Sequence, residues 1–262
     1  MTVEEIPGHW IEAAHRGFVD AWSLMARISA DGDADEFDGI AVSATGLSIS
    51  GCNAAMAYRV PDDPQSALAA ATQFYARLNL PWTLYASPAA ATALEPFTQS
   101  SGLTRMAPEP AMFLKPQNAR QPVRTPGFDI QAVRDATSMQ VYRATAAQGF
   151  GIPEQGIAIW ARPELLPEPG LLYYLGVLDG KPVATGCIYV LHGIGTVNMV
   201  STVETHRRQG LGEQIVWRAI EDGLALGSEA IFLHASEMGY SLYERMGFRH
   251  TFSYNTWSTQ LA

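Results

Sequence analysis

Apolar positions in the second half of the chain follow two periods. Between Leu211 and Leu226 they recur at helical spacing, at Leu211, Ile215, Val216, Ala219, Ile220 and Leu224, which predicts an amphipathic helix. Leu171–Leu178 and Pro182–Leu191 read as strands around Asp179-Gly180, a pair suited to the left-handed backbone of a tight hairpin. His192–Gly195 makes a second turn into a strand at Thr196–Val203. Phe128–Val133 predicts a strand, and Asp135 a cap on a helix from Ala136 to about Gln148. Ala230–Ala235 predicts a strand, Met238–Arg245 a short helix and Phe248–Trp257 a final strand. Hairpin-linked strands within a strand–helix alternation predict an α/β (α+β) chain whose mixed central sheets are flanked by helices.

The first half is less regular. Trp10–Ile28 is helical in pattern, Phe37–Ile49 holds strand-like runs, and Pro64–Leu78 is an alanine-rich helix. Trp82–Tyr85 reads as a strand, Ala89–Phe97 as a helix and Leu103–Leu114 as extended. Two prolines and a glycine in Gln121–Gly127 mark a linker. The expected division is 1–121, a linker at 122–127, and 128–262. A faint repeat supports two similar domains: helix, strand and Ala86-Ser87, then helix and Gly102-Leu103, parallels helix, strand and Ala235-Ser236, then helix and Gly247-Phe248.

Composition narrows the classes. The 262 residues fit one large domain or two modest ones, and 47% hydrophobic against 16% charged excludes a disordered solvating chain. The charge of −9 is spread evenly, with 8 basic and 13 acidic residues in Met1–Pro126 and 9 and 13 in the remainder. Neither half offers nucleic acid a basic face, so no nucleic-acid partner is expected. The run Asp31, Asp33, Asp35, Glu36 and Asp38 predicts a solvated loop. The apolar stretches are far shorter than the ~20 residues that span a bilayer, and Met1–Trp10 lacks a leader pattern, so a cytoplasmic protein is expected. Cys52 and Cys187 have no metal-ligand spacing and predict neither a disulfide framework nor a metal site.

Chemistry concentrates after the strand at Thr196–Val203. The stretch Glu204-Thr205-His206-Arg207-Arg208-Gln209-Gly210-Leu211-Gly212 leads directly into the amphipathic helix. Its glycines admit close backbone approach, and the free amides and dipole of the helix start favour an anion. With the charge of Arg208, the segment is suited to a diphosphate.

One strand further on, Ser236 to Phe248 includes Leu242-Tyr243-x-x-x-Gly247-Phe248. Arg207-x-x-Gly210-x-Gly212 and this second motif, in this order and spacing, resemble the GNAT superfamily of acyl-CoA-dependent N-acetyltransferases over about Phe128–Trp257. The resemblance implies acetyl-CoA as co-substrate and an amine acceptor, a small molecule or a protein, attacked in a ternary complex. It implies a GNAT fold for 128–262. With the repeat, it makes 1–121 a degenerate GNAT-like copy without a CoA motif, so the whole reads as tandem GNAT-like folds.

The resemblance also implies roles. Backbone groups of Ser201, Thr202 and Val203 would bind the acetyl and pantetheine portion, with the Val203 N–H as oxyanion donor. Arg208, Gln209, Gly210, Leu211, Gly212 and Glu213 would surround the diphosphate, and Ser236 would reach the pantetheine. Tyr243 would be the general acid, since a phenol with a pKa near ~10 holds its proton beside a thiol of ~8.5. The general base stays open between Glu204, His234, and water with no dedicated base. A non-catalytic acyl-CoA sensor and an acyltransferase using another donor are the alternative readings, and the expected state is a monomer or homodimer.

Overall fold

A computed structural model describes residues 6–259. The first five residues, part of the stretch from which the absence of a leader is read, lie outside the described residues. In chain order the elements are α1 (Gly8–Arg27), β1 (Asp33–Phe37), β2 (Ile40–Ala44), β3 (Ala54–Ala57), α2 (Pro64–Leu78), β4 (Thr83–Ala86) and α3 (Pro88–Thr98). There follow β5 (Leu103–Arg105), β6 (Glu109–Leu114), β7 (Phe128–Ala132), α4 (Ala136–Phe150), the single turn α5 (Glu154–Ile157), β8 (Leu171–Leu178) and β9 (Lys181–Leu191). The chain ends through β10 (Ile194–Thr202), α6 (Leu211–Ala225), β11 (Ala230–His234), α7 (Glu237–Arg245) and β12 (Arg249–Thr259).

Local chemistry sets most boundaries. The pairs Asp38-Gly39, Asp179-Gly180 and His192-Gly193 all hold both residues at positive φ, joining antiparallel strands by turns whose twist matches theirs. Asp135 accepts the Ser138 amide at 2.7 Å while Ser138 Oγ accepts the Asp135 amide at 3.2 Å, a reciprocal cap that starts α4. Asp63 caps α2 through the Ser66 amide with Pro64 next to it, and Asn79, at φ 53°, ends that helix.

The chain forms two compact units. The C-terminal unit comprises 6–14 and Met112–Thr251; the N-terminal unit comprises His15–Ala111 and 252–259. The units therefore divide at Ala111/Met112, not at residue 121. Gln121–Gly127 lies inside the C-terminal unit, where Thr125 is hydrogen-bonded to Gln209 and Gln214. Proline and glycine mark irregular backbone; they do not measure how much of it is anchored.

Both units repeat one strand order. In the C-terminal unit β7, β8, β9 and β10 pair antiparallel in sequence, and β10 then pairs parallel with β11 across the crossover helix α6. In the N-terminal unit β1, β2 and β3 pair antiparallel, and β3 pairs parallel with β4 across α2. Residues of β12 close that sheet against β4 and β5. Asp33, Asp35 and Glu36 of the acidic run lie on β1, a largely exposed strand with Asp33 paired to Arg77 at 2.7 Å, while Asp31 and Asp38 lie in the turns on either side of it. Charges at a sheet edge discourage further pairing, and that use of acids reads like a loop in sequence.

Each unit has its own core. Leu68, Phe74, Tyr75, Trp82, Leu84 and Trp257 fill the N-terminal one, where Tyr75 stacks on Trp82 with centroids 4.7 Å apart. In the other, Leu211, Ile215, Val216, Ala219 and Ile220 bury the predicted apolar stripe of α6 against the sheet. Gly186 on β9 permits this close approach, because a Cβ there would overlap Ile215 Cγ2. Cys52 and Cys187 are buried free thiols, their pKa raised by burial to about 11 and about 12 respectively, so both behave as core filler.

Candidate active site

The parallel ladder between β10 and β11 holds only from Ile194↔Ala230 to Thr196↔Phe232. Beyond it β10 continues to Thr202 without a β11 partner, so the two strands part towards their C-terminal ends. On the other side, Asn198 faces Cys187 and Ser201 faces Thr185, leaving Met199 and Val200 opposite Gly186 alone. This is a bulge, with Met199 at φ 54°.

The bulge directs two amides. Thr185 Oγ1 donates to the Met199 carbonyl at 3.0 Å from the β9 side. Carbonyl and N–H point oppositely across a trans peptide, so the Val200 N–H points away from β9, to the parted side. Further along, the Val203 N–H donates to the Val183 carbonyl at 2.8 Å. Ladder alternation then turns the Thr202 N–H and carbonyl to the parted side. The Val203 amide is therefore committed to the sheet and is not the oxyanion donor expected from the sequence. Val200 and Thr202 offer amides there; the spacing to Arg207 gave the strand but not which residues of it face outward.

The following turn leads into α6 and is tied down by Arg207. Arg207 is a stitch: its Nε donates to the Thr202 carbonyl at 3.2 Å and its Nη2 to the Gly149 carbonyl at 3.0 Å. Gly149, near the end of α4, lies directly over β10, since a Cβ there would overlap Ser201 Oγ and sit 3.3 Å from the Thr202 nitrogen. Ser201 is buried, with its Oγ 2.8 Å from Thr185 Oγ1. Arg208 (φ 64°) and Gly210 (φ 73°) are left-handed, and Arg208 is exposed. Gly210 is the N-cap of α6 and supplies no side chain, so no cap accepts from the first-turn amides of Leu211, Gly212 and Glu213. The Glu213 side chain is paired with Arg245 of α7 at 2.7 Å, and a Cβ on Gly212 would contact Leu242 and Thr202 at ordinary distances.

Tyr243 is 8% exposed on α7 with its ring edge-on to Phe248. Burial pushes its phenol up to about 12, so it holds its proton at neutral pH. Gly239 makes room for it, because a Cβ there would stand 2.8 Å from Tyr243 Cε2. Ser236 is the N-cap of α7, its exposed Oγ accepting the Gly239 amide at 3.2 Å. Its acceptor capacity thus goes first to the helix. Glu204 is exposed on a 3-10 turn, and His234 is half-buried at the end of β11, edge-on to Phe232. A cavity of about 470 Å³ lined by Val133, Tyr174, Arg218 and Asp222 lies by the C-terminal half of α6 and contains none of these groups.

Residues 140–248 match the model of the acetyltransferase (GNAT) family. That segment is a GNAT domain. It spans α4 to Phe248 and so contains the bulge, the turn and Tyr243. No curated protein sequence matches the chain. Among solved structures, the chain is similar to a GCN5-related N-acetyltransferase from Kribbella flavida, at 21% identity over 95% of this chain and 96% of that one, with a TM-score of 0.74. It is also similar to a tandem GNAT protein of the clavulanic acid biosynthesis pathway, at 12% identity over 96% of each chain and a TM-score of 0.60. A GCN5-related N-acetyltransferase from Sphaerobacter thermophilus aligns at 15% identity over 84% of this chain and 80% of that one, with a TM-score of 0.59. The fold is therefore that of tandem GNAT proteins, with the repeat of strand order visible in both units.

The N-terminal unit differs from the GNAT domain at the matching turn, Tyr58 to Asp63, between β3 and α2. There the Asp38 carboxylate accepts the Asp62 and Asp63 amides at 2.6 and 3.1 Å and pairs with Arg59 at 3.0 Å. An internal anion takes the donors that the α6 turn leaves open. Among the described residues, no group of three His, Cys, Asp or Glu is placed to hold a metal, and no helix is long and apolar enough to cross a membrane.

Proposed function

We propose that the chain transfers an acetyl group from acetyl-CoA to a primary amine, with a single CoA site in the GNAT domain. The observation that carries this reading is the pair of outward amides on the parted side of β10 together with the amides at the uncapped start of α6. The diphosphate lies against the amides of Gly210, Leu211, Gly212 and Glu213 with Arg208 beside it, and the pantetheine extends along Ser201 and Thr202. Ser236, at the start of α7, contributes its hydroxyl proton to the pantetheine.

The amine nitrogen attacks the thioester carbonyl, and the oxyanion develops against the outward amides, Val200 first. Collapse of the tetrahedral intermediate expels CoA as thiolate, which takes the Tyr243 proton. The proton lost by nitrogen leaves through water and restores the phenol, so amine and acetyl-CoA become amide and CoA thiol. Neither Glu204, which is solvated, nor His234, which packs on Phe232, is assigned the role of base. The N-terminal unit serves as a degenerate copy, a reading supported by Asp38 in the place of a phosphate.

An acetylation screen against an amine panel, run with wild type and Tyr243→Phe, tests the proposal. Turnover by wild type, and loss of turnover with CoA binding retained in the variant, is the expected result. Equal turnover in both removes Tyr243 as the acid. CoA binding without turnover of any amine makes the chain a binding protein.

A further inference from the structure

We infer that Thr125 and Gln214 are positioning residues that lock the diphosphate turn in its anion-binding orientation. The inference rests on the acyl-CoA reading above and assigns a task to a segment that sequence composition marks as a spacer. Thr125 Oγ1 donates to the Gln209 carbonyl at 2.9 Å. Gln214, which is 8% exposed, donates from Nε2 to Thr125 Oγ1 at 2.9 Å and to the Gly210 carbonyl at 3.4 Å, while its Oε1 accepts the Thr125 amide at 3.3 Å. The two side chains thus form a closed set of bonds behind the turn.

Their effect follows from peptide geometry. In a trans peptide the carbonyl and N–H point in opposite directions. Holding the Gln209 carbonyl towards Thr125 turns the Gly210 N–H the other way, and holding the Gly210 carbonyl towards Gln214 does the same for the Leu211 N–H. Those are the two amides at the mouth of α6. The Gln209–Gly210 peptide is also the one that flips most easily, because glycine tolerates either sign of φ. A flipped peptide would present a carbonyl dipole to the diphosphate in place of a donor. Thr125 and Gln214 therefore select the donor-out arrangement before the ligand arrives.

Calorimetric titration of CoA into the full chain tests this with Thr125→Val, Thr125→Ser and Gln214→Met. Thr125→Val is isosteric and removes only the hydroxyl. It and Gln214→Met are each expected to weaken CoA about tenfold, the scale of one or two hydrogen bonds, while Thr125→Ser stays within about twofold of wild type. The double variant Thr125→Val/Gln214→Met is expected to lose little more than the larger single loss, because both release the same turn. Melting temperatures identify a variant that fails to fold, and the other then carries the comparison. CoA binding within twofold of wild type in folded Thr125→Val or Gln214→Met overturns the inference and leaves the acyl-CoA reading standing, as does loss of binding that Thr125→Ser fails to restore. Absence of CoA binding in wild type overturns both.

Discussion

Replacing Gly149 by alanine tests the contact that fixes the end of β10. In an ordinary helix the change stabilises by at most about 1 kcal/mol. Here the added Cβ would overlap Ser201 Oγ and stand 2.7 Å from Ser201 Cβ and 3.3 Å from the Thr202 nitrogen. A rotamer change of Ser201 relieves only the first of these, so α4 or β10 must shift. Overpacking of this kind costs about 1–3 kcal/mol. The shift also stretches the 3.0 Å bond from Arg207 to the Gly149 carbonyl, and bonds from charged donors are worth about 1.5–3 kcal/mol. The net expectation is a loss of about 2 kcal/mol, or roughly 4–8 °C in melting temperature for a unit of this size. Thermal unfolding followed by circular dichroism measures it. Adding Ser201→Ala removes the Oγ overlap and is expected to recover part of the loss, so the double variant falls short of the sum of the singles. A Gly149→Ala protein as stable as wild type, or more so, would show that α4 does not rest on β10.

Gly239→Ala puts a Cβ 2.8 Å from the Tyr243 ring, so it is expected to lower turnover about tenfold or more at little cost in melting temperature; unchanged turnover contradicts the placement of Tyr243. With its phenol held near 12 by burial, Tyr243 should cause no fall in the rate of acetyl transfer at the pH of an ordinary phenol; a pH–rate profile losing activity around pH ~10 through Tyr243 counts against it. Asp38 has its carboxyl held below the ordinary value of 3.8, chiefly by the Asp63 amide. A lowered folded-state value gives stability that is present above 3.8 and lost as pH falls through the lowered value. Melting temperature should therefore drop less steeply on acidification in Asp38→Ala than in wild type, and parallel curves would contradict the bonds drawn to Asp38.

Elements with strong local signals were legible in the sequence. Asp179-Gly180 fixed a hairpin, Asp135 a helix start and the α6 stripe a buried face, each through contacts a few residues apart. The motif pair pointed to β10, α6 and α7 as the elements of the candidate site for the same reason. What escaped was set by distant partners. β3 is four buried residues, Ala54-Ala55-Met56-Ala57, with no polar alternation to mark it. The bulge at Met199 depends on Thr185 of β9, so the outward amides fall on Val200 and Thr202 rather than Val203. Asp38 looks like one acid among several until the turn at Tyr58 to Asp63 is folded onto it. The last residues of β12 pair with β4 and β5, some 150 or more residues earlier, which no local pattern encodes.

The proposed activity rests on one acyl-CoA site per chain, at the start of α6, with the matching turn of the N-terminal unit closed by Asp38. Calorimetric titration of CoA into the wild-type chain counts those sites. Saturation at one CoA per chain is the expected result. Two equivalent sites, or no binding at all, would contradict it.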